Sequence, residues 1–246
     1  MPQGEPEPGR SKEAEIDVEA VLEQPGEQQE NPHTLDPDVA PLPDEDEDDE
    51  PSEGDEAGPA GAPPTGQPLF ATCRRTFTAV NDSGPRDLSR ITHIVIHSTE
   101  GATAAGGATW FANPDSAGSA HLVVDDEECF RTLEDTIIPF GAKGTNTDGF
   151  HIEHAGFARW SRRKWMKHKQ TLRRGAFKAA FHAVKFDVPL VLLSEDDLRR
   201  GKSGFTTHAM ASNVFNPGGH TDPGDGFPLD FYMRLVREFA EQIQES

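Results

Sequence analysis

Three short stretches hold the side chains of this chain that can do chemistry together. Ile94-Val95-Ile96-His97 runs into Ser98-Thr99-Glu100-Gly101, and much later come Thr207-His208-Ala209 and His220-Thr221-Asp222-Pro223-Gly224. A neutral imidazole at the end of a rigid strand is placed to act as a general base or a metal ligand. A zinc ion takes three nitrogen or oxygen ligands from the protein and keeps a fourth position for water, and His97, His208 and Asp222 offer such a set. Their separations along the chain form no local zinc signature, so spacing by itself leaves plainer roles open. His97 also reads as a core histidine bonded to backbone, His208 as a loop histidine capping backbone, and Asp222 as part of an Asp-Pro-Gly turn.

The elements that must position these residues follow from hydrophobic pattern. Ile94 to Ile96 has the β-branched composition of a strand buried on both faces. Thr103 to Ala112, with Trp110 and Phe111, reads as a short helix stopped by Asn113-Pro114. Ser119 to Val124 and Glu128 to Leu133, separated by Asp125-Asp126-Glu127, predict a hairpin. Phe150 to His154 is a fourth strand, and its alternation puts His151 on the face of Glu153 and His154 on the opposite one. Pro139 to Asp148 is a glycine-containing loop.

Trp165 to Phe186 carries the period of one long helix. A strand at Val188 to Leu193 and a short helix at Glu195 to Arg200, capped by Ser194, come next. Gly201 to Gly226 reads as a long loop holding His208, His220 and Asp222; loops of this length are usually functional. Leu229 to Gln244 closes the chain as an amphipathic helix. Strands interleaved with helices predict an α/β domain, a central mixed β-sheet flanked by α-helices.

Charge divides the 246 residues unevenly. Residues 1–68 hold 21 acidic against two basic side chains, a net of −19, and residues 69–246 a net of −1. The first segment has no Trp, Phe or Tyr and many Pro and Gly, so it reads as a disordered acidic tail. Residues 69–246 are long enough for a real core. With no membrane-length apolar run and no signal peptide at Met1, the expectation is a monomer made in the cytoplasm. Cys73 and Cys129 are then expected as free thiols, a single bridge being the other option.

Ile94-Val95-Ile96-His97-Ser98-Thr99, Ser119-Ala120-His121-Leu122, His151-Ile152-Glu153-His154-Ala155-Gly156 and His220-Thr221-Asp222-Pro223-Gly224, in this order, resemble the zinc-dependent N-acetylmuramoyl-L-alanine amidases related to peptidoglycan-recognition proteins. The likeness is strong to the amidase modules of endolysins from phages of actinobacteria, and it covers Ile91 to Pro228. The resemblance implies peptidoglycan as substrate, action at the cell wall after release from the cell, and zinc as cofactor. It makes His97, His208 and Asp222 the zinc ligands, and Glu153 the carboxylate that activates the attacking water. It gives His220 the place of a cation that stabilises the oxyanion; His220 as a ligand, with Asp222 behind it, is the competing assignment. His121 is expected to face the same cleft as a substrate contact. Two positions depart from the family pattern: Phe140-Gly141-Ala142 lacks the histidine of the common Trp-His-Ala, and Thr207 stands in place of a glycine.

A basic cluster at Arg159, Arg162, Arg163, Lys164, Lys167, Lys169, Arg173 and Arg174 reads either as a solvated helix face or as a patch, within 159–178, for anionic wall polymers. Nucleic acid is not expected, because the domain is not basic overall and few surface aromatics are interleaved.

Overall fold

The computed structural model describes residues 72–245; the predicted acidic tail lies outside them. Every described residue belongs to one unit of the chain. Its centre is a five-stranded mixed sheet. The strands are β2 (His93–Ser98), β3 (Leu122–Val124), β4 (Cys129–Arg131), β6 (Gly149–His154) and β7 (Gly204–Thr207), in the order β4-β3-β6-β2-β7. Only β3 and β4 pair antiparallel, as the predicted hairpin; the other contacts are parallel. A separate two-stranded ladder joins β1 (Asp82–Pro85) to β5 (Ile137–Pro139).

Strand alternation sorts the side chains by face. Ile94 and Ile96 of β2 and Phe150 and Ile152 of β6 join the main core with Leu172, Ala176 and Ala179 of α3 (Lys169–Phe186) and Tyr232, Val236 and Phe239 of α6 (Leu229–Glu245). Val95 packs on the other face with Leu198 of α4 (Glu195–Arg199) and Ala211 of α5 (His208–Phe215). Val123 and Phe130 pack with Ala108 and Phe111 of α1 (Ala104–Phe111). His97, in phase with Val95, therefore emerges on the α5 side. The predicted mixed sheet flanked by helices is the fold observed.

Four local expectations change. The single helix from Trp165 is two, α2 (Arg162–Lys167) and α3, broken at His168. Asp126 in the hairpin turn causes the break: its carboxylate accepts from the Thr171 backbone N–H at 2.8 Å and pairs with the His168 ring at 2.7 Å, capping α3 from outside. Val188 to Leu193 is no strand; Pro189 lacks an N–H, and the segment meets the sheet at one bridge, Leu192 to Phe205. The long loop from Gly201 instead folds into β7 and α5. Thr207, unusual at its position, is the N-cap of α5, its side chain accepting from Met210 N–H at 3.1 Å.

The fourth change concerns the cysteines, which form a disulfide and not free thiols. Arg74 donates to Cys129 O at 2.7 Å and Arg131 donates to Arg74 O at 2.8 Å, so the lead-in lies along the outer edge of β4 and brings the sulfurs together. The staple covers a sheet edge. Cys73→Ser with Cys129→Ser is expected to lower stability by about 2–4 kcal/mol in denaturant titration.

Of the basic cluster, Arg174 is buried and donates to Asp125 O, and Arg162 is paired with Asp230 at 2.6 Å. Arg159 and Lys167 are exposed. Among the described residues no helix is long and apolar enough to cross a membrane.

Candidate active site

Register brings the candidate residues together. In the parallel β2–β6 pair His97 is level with Glu153. In the β2–β7 pair Ile96 is level with Thr207, so the next residue, His208, enters α5 beside His97. Asp222 arrives from the loop after α5 and is held at both ends. Its carbonyl accepts from Ala209 N–H at 2.8 Å, and its carboxylate accepts from Ser98 N–H at 3.3 Å. That loop lies so close to the segment after β6 that a Cβ on Gly224, where φ is +85°, would stand 1.8 Å from Ala158 O. Only glycine fits there.

The Nδ1 atoms of His97 and His208 are 3.1 Å apart. Asp222 places Oδ2 3.3 Å from the first and Oδ1 2.9 Å from the second. The ligand atoms of all three residues lie within 4.8 Å of one another, and the side chains are buried. Two imidazole nitrogens and a carboxylate converging on one point form a set that can hold a metal ion.

Glu153 stands beside this set, Oε1 3.9 Å from His97 Nδ1. Its other oxygen, Oε2, is buried without a hydrogen-bond partner. Burial, with Asp222 and Glu100 nearby, pushes its carboxyl well above the usual range. Asp222 moves the other way: burial raises it, but the hydrogen bond with the His208 ring and the charge interaction with the two neighbouring imidazoles outweigh that and hold it far below the carboxylate range. Burial takes His97 down to about 4, so its imidazole is neutral near pH 7. Two carboxylates driven apart in this way are suited to different tasks, one as permanent anion and one as proton carrier.

His220 stacks on His208, ring centroids 4.3 Å apart, with its side chain 57% exposed. It is 3.8 Å from Asp222 Oδ1, on the solvent side of the set. Burial and the neighbouring His208 lower its pKa. The residues whose ligand atoms converge are His97, His208 and Asp222, and His220 is not among them.

His121 corrects an expectation. It does not face a cleft: its side chain is fully buried. Its Nε2 is 2.8 Å from Arg86 and 3.1 Å from Ile137 O, and its Nδ1 accepts from His151 N–H at 3.0 Å. Such a ring is held on both sides among the strands. His154, as alternation required, points to the far face, its Nε2 3.1 Å from the Tyr232 hydroxyl.

Two further residues shape the site: Glu100, to which the sequence gave no role, and His151, expected to have a structural or substrate-contact role and not to ligate. Glu100 bridges the exits of β2 and β6, accepting from Ser98 Oγ at 2.9 Å and Ala158 N–H at 2.7 Å. His151 sits directly behind His97, 2.9 Å from ring to ring. Alternation placed His151 on the correct face; nothing in the sequence signalled the contact.

The geometry can be set beside known proteins. The profile of the family described as N-acetylmuramoyl-L-alanine amidase matches residues 87–225. Among solved structures, the hydrolase AmiA of Staphylococcus aureus, in complex with its ligand, aligns with a TM-score of 0.58 at 17% identity, over 71% of this chain and 85% of that one. The N-acetylmuramoyl-L-alanine amidase LysC of Clostridium intestinale aligns with a TM-score of 0.42 at 12% identity, over 67% of this chain and 99% of that one. No curated protein matches the chain significantly. The first structure shares the fold, and the family match spans β2, β6, α5 and every residue of the His97, His208 and Asp222 set. The chain belongs to the N-acetylmuramoyl-L-alanine amidase family.

Proposed function

We propose that this chain is a zinc-dependent hydrolase of the amide bond between the lactyl group of N-acetylmuramic acid and the L-alanine of the stem peptide in peptidoglycan. The observation that carries the reading is a buried, unpartnered carboxylate oxygen on Glu153 beside a converging His97, His208 and Asp222 set. The donor set fits zinc. A tetrahedral ion with bonds of about 2.0–2.1 Å has ligand-to-ligand edges of about 3.3 Å, and the 3.1 and 3.3 Å separations at His97 Nδ1 are close to that. Zinc, when bound, supplies a Lewis acid for the amide carbonyl and lowers the pKa of water.

The protein supplies the proton traffic and the orientation. Glu153, ionised for the attack, takes the proton of the attacking water and returns it to the L-alanine nitrogen as the amide breaks. Burial makes that carboxylate basic enough to hold the proton between the two events. His220, on the open side, donates a ring N–H to the oxygen on which negative charge develops. Its stacking on His208 fixes the direction of that bond. Asp222 stays ionised throughout, balancing charge at the set.

Anionic wall polymers are proposed to meet the outer face of α2, where Lys167 is exposed. Arg174, buried under Asp125, takes no part.

The experiment is release of new L-alanine amino termini from purified peptidoglycan by the zinc-loaded protein, by a chelated sample, and by that sample after zinc is restored. Release that disappears with chelation and returns with zinc supports the reading. Binding to the wall without release from several peptidoglycan types would replace it with a non-catalytic peptidoglycan-binding module.

A further inference from the structure

We propose that His151 is a positioning residue that fixes the tautomer of His97, keeping the Nδ1 lone pair of His97 turned toward His208 and Asp222. The proposal rests on the reading of His97 as a metal ligand. A ligating nitrogen must be unprotonated, and Asp222 Oδ2, 3.3 Å away, favours a proton on that same nitrogen. Something has to hold the proton on the other side of the ring.

A chain of acceptors does so. His151 Nε2 is 3.2 Å from Thr145 O, and a carbonyl can only accept, so Nε2 of His151 carries its proton. The ring is fully buried, and its hydrogen-bonding contacts are the His97 ring and the Thr145 carbonyl, with no carboxylate to balance a second proton, so the uncharged imidazole is the form that fits. Its Nδ1 is then a bare acceptor, 2.9 Å from His97 Nε2, which must be the donor. Moving the His97 proton to Nδ1 would set two lone pairs against each other at that contact. Relieving the clash by reversing His151 would set a lone pair against Thr145 O. Either way a buried hydrogen bond is lost, and the two bonds stand or fall together.

The socket around His151 is built to prevent the ring from turning. A Cβ on Gly141 would stand 2.2 Å from His151 Nδ1, and one on Gly149 would stand 2.6 Å from Nε2. Bare backbone closes over the imidazole from both sides. The Thr145 carbonyl is itself fixed, because Asn146 Oδ1 accepts from Gly141 and Ala142 N–H at 3.0 and 2.7 Å and Thr145 N–H donates to Ala142 O at 3.0 Å. A glycine at 141, a departure from the family pattern, is what leaves room for this ring.

The test is two-part. In metal-free protein with 15N-labelled histidine, long-range 1H–15N correlations are expected to show His97 and His151 both protonated at Nε2. A proton at His97 Nδ1 would overturn the proposal, and this measurement needs no variant. Zinc affinity is then compared by chelator competition. His151→Phe fills the socket without an acceptor and is expected to weaken zinc binding ~10–100-fold. His151→Asn offers an amide oxygen near the Nδ1 position and is expected to stay within a few-fold of wild type. Equal affinities for wild type and His151→Phe, or equal losses in both variants, would reduce His151 to packing. Neither part uses substrate: ordered tautomers in a protein that releases no L-alanine would remove the hydrolysis reading and leave this one standing, and a proton at His97 Nδ1 in an active enzyme would do the reverse.

Discussion

Glu153→Gln is expected to lower release of L-alanine termini by ~10²–10⁴-fold while zinc affinity stays within a few-fold of wild type and stability does not fall. The amide keeps the shape of the carboxyl group but can neither take a proton from water nor return one to the leaving nitrogen. Structural glutamates behave differently when removed, because their partners are left unpaired. Glu153 has few partners to leave: Oε2 bonds to nothing, and Oε1 stands 3.9 Å from His97. The raised carboxyl also fixes a direction for pH. An acid whose folded pKa lies above its unfolded one helps the fold below the unfolded value and loses that contribution as pH rises through the folded value. Metal-free wild type is therefore expected to lose stability relative to Glu153→Gln as pH rises from the acid range through neutrality. Thermal denaturation of both proteins across pH, beside the peptidoglycan assay, checks the pair of outcomes. Retained activity in Glu153→Gln would remove this residue from the chemistry.

Asp222→Ala is expected to do the opposite on both counts that Glu153→Gln spares. In wild type, zinc at 100 times its Kd should add about 2.7 kcal/mol of stability, visible as a rise in Tm. The variant loses the anionic member of the set, so zinc at that concentration should no longer raise Tm, and release of L-alanine should become undetectable. It should also be less stable without metal, by about 1–3 kcal/mol, because Ser98 N–H and the His208 ring lose a buried acceptor. Calorimetry with and without zinc separates the two effects. A zinc-dependent rise in Tm that survives in Asp222→Ala would place the metal elsewhere. Placing His97, His208 and Asp222 at the ligand positions would then be wrong, whatever the activity.

Much of the scaffold was legible because it depends on local pattern. The β-branched run at Ile94 to Ile96 is buried on both faces as its composition required, and alternation along β6 sorted His151 and Glu153 from His154 correctly. The break at His168 was hidden because it is made by Asp126, an acceptor brought in by the hairpin turn 45 residues earlier than Thr171. Helical periodicity runs through His168 and carries no trace of that contact. The strand and helix inside the stretch from Gly201 to Gly226 were hidden for another reason. β7 is four residues of Gly-Phe-Thr-Thr, held in place by pairing with β2, and pairing partners are not a property of the segment itself.

By itself the sequence determined which residue types were available: two histidines and an aspartate able to ligate, a glutamate in a strand, and the phase that puts His151 and Glu153 on one face of that strand and His154 on the other. Side-chain alternation and composition are local, and they survive any choice of fold. Tertiary structure alone decided the distances. Parallel register set Glu153 level with His97 and carried His208 in beside it, while the close approach at Gly224 brought in Asp222. The same packing buried His121 behind Arg86, although its motif had led to the expectation that it faces the cleft. It also joined Cys73 to Cys129 along the edge of β4. Contacts of this kind depend on long-range closure of the chain, and no short stretch of residues encodes them.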